Sequence, residues 1–202
     1  MIKEACIENF KEALSAQLAG AGRVELCENL AVGGTTPSYG TIKACIEKLD
    51  IPVFVMIRPR GGDFCYTQEE LEIMKTDIAL CKQMGVPAVV FGLLAGNGRI
   101  DEEHTRDLID MARPMQVTFH KAFDELADPF EGLEVLIRLG ADRILTSGTK
   151  TTAQEGTRIL NRLIEKANGR ITIVAAGKIT ADNLPELGRM IRTTEFHGKK
   201  IV

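Results

Sequence analysis

Short apolar runs alternate with helical patterns along the whole chain, and this alternation constrains the fold more than any other feature. The runs that read as strands are Ile2–Cys6, Arg23–Cys27, Pro52–Ile57, Ala88–Phe91, Met115–Phe119, Arg143–Thr146, Ile171–Ala175 and Thr194–His197. Between them lie helical patterns with recognisable ends. The first covers Glu8–Ala19 and is closed by Gly20 and Gly22. A second follows near Tyr39–Leu49, and a third opens on the capping box Thr67…Glu70 and stops at Gly85. Others run from Asp101 to about Ala112, from the cap and first-turn proline Asp128-Pro129 to Gly140, from Ala153 to Ala167 and from Ala181 to Met190. Strands that alternate with helices pair in parallel through right-handed crossovers. Eight such strands predict one domain over residues 1–202, a TIM-type (β/α)8 barrel whose eighth helix is absent or replaced by a short tail, Gly198–Val202. A doubly wound open sheet is the rival arrangement. The thin wall outside strands eight and one is expected to be covered by a partner chain or by the tail, and a homodimer is expected.

In a strand, alternate side chains face opposite sides. One phase here is apolar: Val24 and Leu26; Val53, Val55 and Ile57; Val89 and Phe91; Val117 and Phe119; Ile173 and Ala175; Phe196. That phase is expected to face the helices. The other phase carries Glu4, Cys6, Glu25, Cys27, Met56, Arg58, Thr118, His120, Glu195 and His197, and is expected to line the barrel. Barrel interiors are normally packed with Val, Ile and Leu. Burying a single ion costs several kcal/mol. Two readings follow: a neutralised ion-pair network that fills the tube, or a ligand site at the strand C-termini, where barrel sites are built.

Loops add to the same end. Arg58, Arg60 and Asp63 follow strand three, and the two arginines suit a carboxylate or phosphate. His120 is open to three roles: general base, metal ligand or hydrogen-bonded core residue. Thr146 and Ser147 follow strand six, and Ala176-Gly177-Lys178 follows strand seven, where many barrels hold phosphate. Cys45 and Cys81 fall inside helical patterns as small core residues, and Cys65 lies in a loop. Cys6 and Cys27 differ. Each stands two residues after a glutamate, on neighbouring strands, so their thiols are expected side by side. Such a pair suits a soft ion such as Cu(I) or zinc, or else two inert buried thiols.

The composition excludes several classes. With 25 basic against 28 acidic residues, a net charge of −3 and no Trp, nothing marks a nucleic-acid surface. No apolar stretch reaches the length of a membrane span, and no signal peptide is visible, so a cytoplasmic location with reduced thiols is expected.

Several motifs are similar to those of the CutC copper homeostasis family: Arg23-Val24-Glu25-Leu26-Cys27, Gly33-Gly34-Thr35-Thr36-Pro37-Ser38, Ile57-Arg58-Pro59-Arg60-Gly61-Gly62-Asp63-Phe64-Cys65-Tyr66, Thr118-Phe119-His120-Lys121-Ala122-Phe123-Asp124 and Ile144-Leu145-Thr146-Ser147-Gly148. The resemblance covers nearly the whole chain. It implies a cytoplasmic TIM barrel linked to copper tolerance, with Cu(I) held at Cys6 and Cys27. The chain departs from the family's pattern after strand seven, where Ala176-Gly177-Lys178-Ile179 replaces a Gly-rich run, and after Glu195-Phe196-His197, where family members continue into a further segment. Two functions stand as expectations. The first is copper homeostasis with Cu(I) at the mouth. The second is an enzyme acting on a small anionic or sugar-like metabolite, in which Glu4, Glu25, Glu195 and His120 do acid–base work while Arg58, Arg60, Asp63, Thr146, Ser147 and His197 bind substrate.

Overall fold

A computed structural model describes residues 1–202. Its strands are β1 Ile2–Ile7, β2 Arg23–Leu26, β3 Val53–Met56, β4 Ala88–Phe91, β5 Gln116–Phe119, β6 Arg143–Thr146, β7 Thr172–Ala175 and β8 Glu195–Gly198. All pair in parallel and in sequence order, and β8 pairs with β1 to close the barrel. The open-sheet alternative is thereby set aside. Seven helices connect the strands: α1 Phe10–Leu18, α2 Tyr39–Lys48, α3 Gln68–Gln83, α4 Glu102–Ala112, α5 Pro129–Leu139, α6 Ala153–Ala167 and α7 Leu184–Met190.

Local chemistry explains the helix ends. Thr67 and Glu70 form the expected capping box, and Thr152 with Glu155 forms a second. Asp128 caps α5 ahead of Pro129, and Gly140 ends it in the left-handed region at φ 82°, which glycine adopts without strain.

The main core lies between barrel and helices. It contains every outward residue expected from the strand phase, from Val24 and Leu26 to Phe196. A second apolar group lies inside the barrel: Cys6, Cys27, Phe54, Met56, Ala88 and Val90. No helix follows β8. Lys199–Val202 runs beside the segment that precedes α7, through the bridge Thr180–Lys200, and buries Ile201 in the core. No helix is long and apolar enough to cross a membrane.

Candidate functional site

The inward charges sort by height along the barrel axis. At the N-terminal end, Arg23, Arg143 and Glu195 each open a strand. Arg23 donates to Glu4 at 2.5 Å and to Glu195 at 2.6 Å, and Arg143 donates to Glu195 at 3.0 Å and to Gln116 at 2.7 Å. Both guanidiniums lie over the Phe54 ring, at 4.4 and 5.2 Å from its centroid. For this layer the ion-pair network is the reading that holds. Glu195 is the first residue of β8 rather than a late one, so it stands at the floor, away from the mouth. Arg23 and Arg143 were not among the expected site residues. Their strand phase, shared with Glu25 and Leu145, was the available signal.

Above this floor, His197 and two glutamates meet two thiols. His197 donates from Nδ1 to Glu4 at 2.7 Å and turns Nε2 to Glu25 Oε2 at 3.8 Å. One ligand atom from each of Cys6, Glu25 and Cys27 lies within 4.8 Å of the others, and so do those of Glu4, Glu25 and His197. The Cys27 thiol donates to Glu25 at 3.5 Å. Burial works against the His197 charge, but Glu25, Cys6 and Glu4 around it raise its pKa well above the ordinary imidazole value. The neighbouring Cys27 thiol, followed by His197, holds Cys6 well below the usual thiol range. Cys27 is pushed the other way by its neighbour Cys6, by burial and by Glu25. Burial pushes Glu25 up to about 8, whereas His197 and Arg23 overcome burial at Glu4 and keep it below the carboxylate value. Opposite charges are therefore paired: Glu4 and Glu195 with Arg23 and Arg143, and Glu4 with His197, which also favours the thiolate form of Cys6. Pairing is how a barrel can bury this many ions.

His120, at the C-terminal end of β5, forms the opposite wall. Its Nδ1 accepts from the Ala122 N–H at 3.2 Å, which assigns the ring proton to Nε2. Burial, and then the Arg58 charge, lower its pKa to about 3, so the ring is neutral. Gly92 makes room for it, since a Cβ there would overlap the imidazole. Phe64 packs on the ring at 4.9 Å between centroids, and Arg58 lies 4.7 Å over Phe64.

A cavity of about 540 Å³ opens between these walls. Of the expected site residues, Cys6, Glu25, His120 and His197 line it. Cys27 and Glu4 lie behind that surface. Arg58 is buried and spent on backbone carbonyls, those of Val32 at 2.9 Å, Gly34 at 3.0 Å and Gly62 at 2.6 Å. Arg60 is held by Glu70 at 2.5 Å and by Asp63 at 3.0 Å, outside the cavity, so neither arginine stands free in the mouth. Thr146 and Ser147 donate their hydroxyls to Asp124, which Lys121 also contacts, and they brace the rim from behind. Lys178, in the loop expected to hold phosphate, lines the rim, and Lys121, Lys199 and Lys200, which had no expected role, complete it. Lysines in loops carry no periodic signal, so only the fold gathers them. Cys45 and Cys81 are buried in helices as expected, and Cys65 is exposed.

The chain matches the CutC family over residues 1–202. It is 47% identical over 196 residues to the copper homeostasis protein cutC homolog of Homo sapiens, covering 97% of this chain and 72% of that one. It is 46% identical over 199 residues to the family protein CutC of Parabacteroides distasonis, covering 97% and 81%. The solved structure of CutC from Streptococcus agalactiae superposes with a TM-score of 0.95 at 38% identity, over 100% of both chains. An aldolase, QR15, shares the barrel fold at a TM-score of 0.72 and 15% identity, covering 98% of this chain and 89% of that one. Together with the closed barrel and its paired inward thiols, these matches settle the family: the chain belongs to the CutC family.

Proposed function

We propose that this chain is a copper homeostasis protein that takes Cu(I) as cargo at Cys6 and Cys27. The observation that carries this reading is the pair of reduced thiols inside the barrel, with ligand atoms within 4.8 Å of each other and of a Glu25 oxygen. Thiolates are the soft donors that select Cu(I) over the hard ions favoured by carboxylates. The names of the human and mouse relatives support the same role. Cys6, slightly exposed and lining the cavity, receives the ion, and Cys27, fully buried, completes its coordination. Electrostatics favour binding. Bound cysteines must be thiolates, and the Cys27 thiol and His197 beside Cys6 favour its thiolate form.

Titration of the purified full chain with Cu(I) against a competing chelator tests the proposal. One ion per chain is expected, with protons released as it binds. The Cys6→Ser/Cys27→Ser variant is expected to lose this binding. Equal copper binding by that variant rejects the site.

A further inference from the structure

The cavity is far larger than an ion requires. At about 540 Å³ it falls in the size range of small-molecule sites, against roughly 30 Å³ for one water. Two buried polar atoms on its lining residues have no partner in the protein: His120 Nε2 and Glu25 Oε1. Glu25 is in β2 and His120 directly follows β5, three strands away around the barrel. A buried polar atom left unpaired costs about 1–3 kcal/mol, so two of them on residues that line one cavity point to a ligand that pairs them. Met56, Phe64, Leu145 and Ala176 line the space between and suit the carbon skeleton of such a ligand.

The rim adds charge. Lys178, Lys199 and Lys200 line the cavity, are exposed, and pair with no carboxylate. Lys121, by contrast, is occupied by Asp124 and Ser147. The backbone N–H groups of Gly177 and Lys178 donate to no protein acceptor, and Lys178 is a non-glycine residue held at φ 57°. Three free cations on one rim of a chain with net charge −3 mark that edge for an anion. The nearby arginines are engaged elsewhere, so the rim lacks the planar fork that pairs with a carboxylate. Lysines and backbone N–H groups suit the phosphate group instead.

We propose that the mouth binds a phosphate-bearing polyol. Its hydroxyl or carbonyl oxygens pair with His120 and Glu25, and its phosphate sits at Lys178, Lys199, Lys200 and the Gly177–Lys178 backbone. This goes beyond the copper reading and does not depend on it, because neither sulfur is used.

Calorimetric titration of the full chain tests the proposal, with a Cu(I) chelator present so that copper cannot contribute. The probes are ribose 5-phosphate, glycerol 3-phosphate, ribose, inorganic phosphate and gluconate. One of the two polyol phosphates is expected to bind one per chain, at least about tenfold more tightly than ribose or phosphate alone. His120→Phe removes the ring donor and is expected to weaken that binding about tenfold, the size of one lost hydrogen bond. Lys178→Met/Lys200→Met changes only exposed side chains, so it keeps the test valid even if the His120 variant fails to fold, and the same weakening is expected. The proposal is overturned if neither polyol phosphate binds, if inorganic phosphate binds as tightly as they do, or if the lysine variant binds them unchanged. Gluconate binding as tightly as the phosphates overturns the phosphate assignment.

Discussion

Arg23 shows how one side chain can hold a layer together. It is 3% exposed and bridges Glu4 and Glu195 from the floor of the barrel. Without it, two buried carboxylates lose a partner, and only Arg143 remains for Glu195. Removing one member of a buried pair costs about 3–5 kcal/mol because the other charge stays buried. Arg23→Met is therefore expected to lower unfolding stability by that amount in chemical denaturation; a loss under about 1 kcal/mol, the worth of an exposed pair, contradicts the network. Arg58 shows the reverse case. The strand phase places it inside, yet its guanidinium turns to the carbonyls of Val32, Gly34 and Gly62, which the glycine-rich loops direct at it. Residue type and parity revealed that these charges were inward. They did not reveal which partners the charges would find.

At the scale of elements, strands, helices and most caps were legible, because periodicity and capping are local. Two short 3-10 segments, Leu30–Val32 and Lys121–Glu125, were not, since three to five residues are too few to show a period. The second positions His120, Lys121 and Asp124 together. Close approach of elements was equally invisible. Gly156 in α6 packs against the loop after β6, where a Cβ would overlap the Ser147 carbonyl oxygen. That loop carries the Ser147 N–H and hydroxyl donated to Asp124. Gly156→Ala is expected to destabilise the chain by about 1–3 kcal/mol, the range for overpacking, despite alanine's better helix propensity. Denaturant unfolding checks this; a gain in stability contradicts the contact.

For the whole molecule, the buried neutral His120 sets a pH dependence. Its folded pKa, about 3, lies below the ordinary 6.5. Between those values the unfolded chain binds a proton that the folded chain does not, so stability rises with pH. The contribution is present above pH 6.5 and is lost as pH falls, at up to about 1.4 kcal/mol per pH unit. Unfolding measured from pH 7 to 4 is expected to show a shallower acid loss in His120→Phe than in the parent chain. Parallel curves contradict a neutral buried imidazole. By itself the sequence determined the eight-strand alternation, the apolar outward phase, the polar interior and the adjacency of Cys6 and Cys27. Each of these follows from a period of two or from strand order. Only the tertiary structure decided height and partnership: Glu195 at the floor beneath Arg23 and Arg143, His197 between two glutamates, Arg58 withdrawn into loops, and three free lysines gathered around one cavity. The physical reason is that depth in a closed barrel depends on the stagger between strands. The partners of a buried charge come from strands distant in sequence, and no local pattern encodes either.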